Sequence, residues 1–243
     1  MRHIPNFITS LNIIAGSISV VFALENNLLL ASLFIFIGAI FDFLDGMTAR
    51  LLKAYSEIGK QLDSLADMIS FGLAPSVIVF SLILKSFNID NFSFDLPIYQ
   101  IFISLSAFLI AVFSGLRLAK FNIDTRQTIS FIGLPTPANA IFIASFPLIL
   151  AFNENTIFSS IINNIYFLTA IVFTQSYLLV SKIEMFSLKF KTLNFKENKL
   201  RFVFLSISII MFILLKYVSI PLIIIIYIIL SFVNSYFVKR KQY

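Results

Sequence analysis

DFLDGMTARLLKAYSEIGKQLDSLAD, residues 42–67, decides how the rest of the chain is read. It holds five of the twelve acidic residues, yet the apolar runs LLLASLFIFIGAIF and MISFGLAPSVIVFSLIL flank it on either side. On a helix Asp42, Asp45, Gly46 and Ala49 fall at i, i+3, i+4 and i+7 and share one face, while Gly59, Asp63 and Asp67 share another at i, i+4 and i+8. Each helix thus offers two carboxylates along one stripe, beside a glycine where backbone can approach a ligand. Like charges at these spacings repel, and partial removal from water raises the cost, so the acids must be protonated, paired or bound to cations. Arg50, Lys53 and Lys60 are too few to neutralise them, and the stretch contains no His or Cys. Hard oxygen ligands without nitrogen or sulfur point to Mg2+ or Mn2+, one ion or two sharing the four carboxylates. Such ions point to phosphate chemistry. The plain alternative is a polar hairpin whose aspartates only solvate a loop, and acids set between apolar helices argue against it.

The whole composition agrees. The chain has 243 residues, 59% of them hydrophobic and 12% charged, with mean hydropathy +0.96. That excludes an ordinary soluble domain or a disordered chain and predicts an all-α polytopic transmembrane bundle. With no Cys, disulfides, thiol catalysis and cysteine metal sites are excluded. The single His3 precedes every span, which makes a histidine base improbable. Thirty Phe and no Trp carry no functional reading. The net charge of +6 has no aromatic-basic module beside it, so nucleic acid is not a partner; the bases lie in short loops between apolar runs, as membrane topology requires.

The apolar runs predict about eight spans. The first covers about residues 8–25, and Pro5, Asn6, Thr9 and Asn12 argue against a cleaved leader. Those polar residues either face the site or make an ordinary helix entry, with Pro5 in the first turn and Asn6 or Thr9 as cap. A second span begins at Leu28; fourteen residues later, about 21 Å of helix, Asp42 comes near the far edge of a hydrocarbon core about 30 Å thick. Tyr55 to Glu57 is the expected break, and a third span follows over 58–85. The fourth covers about 99–119 and ends in RLAKFN, residues 117–122; FIGLPTPANA, 131–140, breaks the chain before the fifth. A sixth is expected over 157–180, and two more over 202–218 and 220–238. Between them the basic segment 181–201 is either an interfacial binder of acidic lipid headgroups or an ordinary cytoplasmic loop. With eight spans, 16 of the 18 basic residues fall on one side and only Lys85 and Lys216 on the other. The positive-inside rule then places both termini and the aspartates at the cytoplasm of a prokaryotic membrane. Residues 1–181 form a six-span core, and 182–243 add the basic loop and two spans.

The spacing D-x2-D-G-x2-A-R-x8-G-x3-D-x3-D resembles, at every position, the signature of the CDP-alcohol phosphatidyltransferases, and eight residues at fixed spacing are hard to meet by accident. SLADMISFGLAP at 64–75, RLAKFN and FIGLPTPANA are similar to the phosphatidylserine synthase branch of that family, so the resemblance spreads over about residues 5–140. It implies attack by an alcohol on the lipid-bearing phosphate of CDP-diacylglycerol, with CMP leaving and L-serine as acceptor. It further implies that Asp42, Asp45, Asp63 and Asp67 hold metal and that Asp67 is the general base. Gly46, Ala49, Arg50 and Gly59 would contact the CDP-lipid, with Arg50 on a phosphate or on one of the aspartates. Arg117, Lys120 and Arg126 are candidates for the serine carboxylate or the lipid phosphates, or else topological anchors. Acceptors such as glycerol 3-phosphate or inositol phosphate would call for more bases. Membrane lipids and a second copy, forming a homodimer, are the implied partners. An ion-coupled transporter would explain acids between helices, but not the fixed glycine, alanine and arginine positions, and no inverted repeat is visible.

Overall fold

The computed structural model describes residues 3–123, 131–153, 156–186 and 195–240. The chain runs through α1 (His3–Leu24), α2 (Leu28–Leu51) and α3 (Glu57–Asp67). A π-helical stretch, Met68–Leu73, continues α3 without interruption into α4 (Ala74–Ser86). Next come α5 (Ile98–Ser106), α6 (Leu109–Ile123), a two-residue strand β1 (Phe131–Ile132) and α7 (Thr136–Phe152). Then follow α8 (Ile157–Ile162), α9 (Ile165–Val180), β2 (Glu184–Met185), α10 (Phe195–Leu215) and α11 (Ser219–Arg240). A 3-10 turn, Lys216–Val218, separates the last two helices.

This is the helical membrane bundle that the composition predicts. Five helical segments are long and apolar enough to cross a membrane: α1, α2, Glu57–Ser86, Ile98–Ile123 and Asn198–Ser235, while α7 and α9 are shorter apolar helices. Hydrocarbon offers no hydrogen-bond partners, so helices, which satisfy their own backbone, are what such a sequence forms. Large side chains such as Phe7, Ile40, Phe102, Phe173 and Leu214 are left exposed, as a lipid-facing surface demands.

At the centre stands α4, buried from Ala74 to Leu84, with α7 beside it, buried from Phe142 to Ile149. Small polar residues join the helices. Ser19 donates to the Ala31 carbonyl at 2.7 Å, Ser70 to that of Asn12 at 2.9 Å and Ser81 to that of Ala23 at 2.9 Å. Close approach is tightest at Gly16, where a Cβ would stand 2.7 Å from the Ser70 Cα. Only glycine lets α1 lie against the π stretch there.

Several boundaries differ from expectation. The first helix is already formed at His3, and Thr9 donates to the Pro5 carbonyl at 3.0 Å, so Asn6 and Thr9 are helix-interior residues and not caps. The expected fourth span is jointed at Ala107–Phe108. The expected sixth span divides at Asn163–Asn164 because the Asn164 side chain accepts from the Tyr166 and Phe167 amides and starts a new helix. Helix begins within the basic segment, since α10 starts at Phe195 and kinks at Asn198; residues 187–194 lie outside the described residues.

Candidate active site

The carboxylates converge because α2 and α3 reverse direction over a short turn. Leu52 closes α2 on the Thr48 carbonyl at 2.9 Å, Lys53 adopts φ 48°, and Ser56 caps α3 by accepting from the Gly59 amide at 3.0 Å. The break therefore spans Leu52–Ser56, beginning three residues before the expected Tyr55, and Glu57 is already the first residue of α3. Carboxylate oxygens of Asp42, Asp63 and Asp67 come within 4.8 Å of one another. Asp45 stands outside that trio, 5% exposed, one turn along α2.

Beside the trio lies a cavity of about 540 Å3, lined by every motif position except Asp67. The first helix adds Pro5, Asn6 and Thr9 to its wall, and the turn between α2 and α3 adds Ala54, Tyr55 and Ser56. Pro5, in the first turn as a helix entry would have it, and Asn6 and Thr9 thus line this cavity, while Asn12 is fully buried outside its lining.

The two glycines do different things. At Gly46 a Cβ would meet nothing closer than Arg50 Nη2 at 3.9 Å, so this wall is open to a ligand. At Gly59 a Cβ would stand 2.9 Å from both Asn6 Oδ1 and Ser56 Oγ, so here the missing side chain admits α1. Arg50 is exposed and donates from Nε to the Gly46 carbonyl at 2.8 Å, a hydrogen bond to its own helix that the sequence alternatives, phosphate or aspartate, did not include.

Two carboxylate oxygens, Asp45 Oδ2 and Asp67 Oδ1, are buried without a hydrogen-bond partner among the described residues. A buried acceptor left bare costs about 1–3 kcal/mol, more when charged. With oxygen donors alone, the group could hold a hard divalent cation, and the residues present fit one.

The three bases proposed for the acceptor separate. Arg117 is 7% exposed; its Nη1 donates to Thr136 Oγ1 at 3.3 Å, its guanidinium lies 5.7 Å from the Phe121 ring centroid, and its charge interacts with Asp67. Its Nε has no partner among the described residues. Lys120 is exposed in the last turn of α6. Arg126 lies outside the described residues. Sequence reasoning missed Thr136 and Asn122, though both stand in quoted motifs. Asn122 donates to Ser64 Oγ at 2.9 Å and accepts from Lys60 Nζ through its carbonyl at 3.4 Å, which ties the end of α6 to the metal-facing helix.

The family described as CDP-alcohol phosphatidyltransferase matches residues 2–176. A CDP-diacylglycerol–serine O-phosphatidyltransferase of Bacillus subtilis is 38% identical over 184 residues, 76% of this chain and 90% of that protein. Proteins of the same name from Helicobacter pylori and Methanocaldococcus jannaschii are 36% and 35% identical. The matched parts cover 57% and 59% of this chain, and 54% and 59% of those proteins.

Proposed function

The chain belongs to the CDP-alcohol phosphatidyltransferase family, and on that premise we propose that it transfers the phosphatidyl group of CDP-diacylglycerol to the hydroxyl of L-serine, releasing CMP and forming phosphatidylserine. One observation carries the site: Asp42, Asp63 and Asp67 meet within 4.8 Å beside a cavity whose wall is bare at Gly46. The names of the relatives support serine as acceptor.

Asp42, Asp45, Asp63 and Asp67 would hold Mg2+ or Mn2+, one ion or two. Such a cation, when bound, offsets the diphosphate charge and that developing on CMP. Asp67 takes the proton of the serine hydroxyl. The hydroxyl oxygen forms a bond to the lipid-bearing phosphorus, and the bond from that phosphorus to the CMP oxygen breaks, its electron pair leaving with CMP. Gly46 and Ala49 keep the wall low for the nucleotide, and Gly59 lets Asn6 close the opposite side. Arg117 binds the serine carboxylate: its unpartnered Nε and its place beside Asp67 support that role. Lys120 and Arg126 serve the lipid phosphates.

The eight apolar segments cross the membrane with both termini and the site at the cytoplasm, a topology supported by the distribution of basic residues. Residues 1–181 make the catalytic six-span core, and 182–243 the added loop and helix pair. Resemblance also implies a homodimer, which sedimentation of the detergent-solubilised protein tests. The deciding experiment is CMP release from CDP-diacylglycerol by purified protein with Mg2+ or Mn2+ and a panel of serine, glycerol 3-phosphate and inositol phosphate. Serine should be the productive acceptor; turnover with either phosphorylated alcohol alone rejects the serine assignment.

A further inference from the structure

The helices α10 and α11 lie beyond residues 2–176 and carry no motif position. Their inner faces nevertheless build a second apolar core, in which Phe204 and Tyr227 close around Leu134, Met185 and Phe186. The Phe186 ring stands 4.9 Å from that of Tyr227 and 5.8 Å from that of Phe204, centroid to centroid.

Phe186 is also held by its backbone. Tyr227 donates its hydroxyl to the Phe186 carbonyl at 3.0 Å, and the Phe186 amide donates to Ser231 Oγ at 3.4 Å, so α11 engages both polar groups of this one peptide position. Directly before Phe186 runs β2, paired antiparallel to β1 with Phe131 opposite Met185 and Ile132 opposite Glu184. The pairing continues past the strands. The Gly133 amide donates to Ile183 and the Leu134 amide to Leu178, both at 2.9 Å. Gly133 has φ +78°, and a Cβ there would collide with the Leu179 carbonyl oxygen and stand 3.2 Å from that of Ser181, so the crossing is tight. Two residues after Leu134 comes Thr136, whose hydroxyl accepts from Arg117. A continuous run of hydrogen bonds and short backbone thus leads from the Tyr227 hydroxyl to the guanidinium.

We propose that Tyr227 is a positioning residue for the acceptor alcohol: acting through Phe186 and the β1–β2 pair, it sets where Thr136 holds Arg117, and hence how well a carboxylate is bound. The proposal rests on the assignment of Arg117 to the serine carboxylate. Without the hydroxyl, the buried Phe186 carbonyl loses its partner and the 181–186 segment settles elsewhere, carrying β1 with it. Paired hydrogen bonds from a guanidinium to a carboxylate tolerate little displacement. If the aromatic cluster merely fastens the helix pair to the core, its loss lowers stability and leaves substrate selectivity alone.

The test uses the full chain in mixed lipid–detergent micelles and separates the two KM values. Tyr227→Phe keeps the ring contacts and removes the hydroxyl; it should raise KM for serine about three- to tenfold, the size of one lost hydrogen bond. KM for CDP-diacylglycerol and the metal dependence should not move. Ser231→Ala should raise the serine KM in the same direction by less, and it alone decides the matter if Tyr227→Phe does not fold. Tyr217→Phe, whose ring stacks on Phe152 at 4.5 Å in the same C-terminal region, should change neither constant. An unchanged serine KM in Tyr227→Phe, or an equal rise in both constants, overturns the proposal. Arg117→Lys should raise the serine KM at least as much as Tyr227→Phe. If it has no effect while Tyr227→Phe does, the Arg117 assignment is wrong and this route with it. Failure of the serine assignment itself appears earlier, in the wild-type acceptor panel.

Discussion

Gly46→Ala separates folding from ligand binding at a single position. The nearest atom to the added Cβ is Arg50 Nη2 at 3.9 Å, an ordinary contact, so the helix accepts the methyl without strain. Alanine is favoured over glycine inside a helix by about 1 kcal/mol, so thermal stability in detergent should rise slightly or stay level. The same methyl enters the cavity of about 540 Å3 beside the acidic trio. If the cytidine diphosphate lies against this backbone, forcing an extra carbon into the contact costs about 1–3 kcal/mol, or roughly a 5- to 150-fold weaker Kd for CDP-diacylglycerol. Equilibrium binding of the CDP-lipid at fixed Mg2+, measured beside a thermal unfolding curve, reads both quantities. Gly59→Ala is the counterpart: its Cβ would press on Asn6 Oδ1 and Ser56 Oγ at 2.9 Å, so stability and binding should fall together. Normal CDP-lipid affinity in a stable Gly46→Ala variant would refute the bare-wall argument.

Asp67→Asn should retain CDP-lipid binding and lose about a hundred- to ten-thousandfold in transfer to serine; normal turnover would place the base elsewhere, and joint loss of metal and nucleotide would make Asp67 chiefly a ligand. Asp42→Ala, Asp45→Ala and Asp63→Ala should each abolish metal-dependent CMP release, as exhaustive chelation should in the wild type, and activity surviving chelation rejects the metal centre. Because the chain contains no Cys, single cysteines placed at Tyr55 and Asn91 report topology directly with a membrane-impermeant thiol reagent. The first should be labelled only from the cytoplasmic side and the second only from the opposite side; labelling of both from one face breaks the eight-span arrangement.

What the sequence makes legible is what local periodicity controls. The two carboxylate stripes follow from spacings of three and four on a helix, so the trio is readable in advance, while the loss of apolar pattern marks a break near Tyr55 that begins three residues earlier, at Leu52. The π stretch at Met68–Leu73 is not, because a one-residue change in helical phase leaves no mark on composition. Nor does hydropathy separate α8 from α9: the division depends on Asn164 capping a new helix, and two asparagines inside an apolar run are equally compatible with a continuous span. Arg117 and Lys120 look alike as bases near a span end, and only the packing of the folded bundle buries one and exposes the other. Asn6 and Thr9 stayed undecided because helix entry and active-site lining use the same residue types.

The π-helical stretch between Asp67 and Ala74 acts as a phase shifter within one unbroken rod. Upstream, helical phase must aim Asp63 and Asp67 at Asp42. Downstream it must turn the whole of Ala74–Leu84 inward, a segment so enclosed that it has no outer face to spare. One α-helix carrying both demands would force every packing adjustment in the core to rotate the carboxylates as well. With a wider turn between them, the two halves keep separate angular registers while sharing one axis. Deleting a single residue within 68–73 would reset the downstream half by about 100°, the angular step of an α-helix. Such a deletion should therefore appear first as failed assembly of the bundle and not as weakened metal affinity.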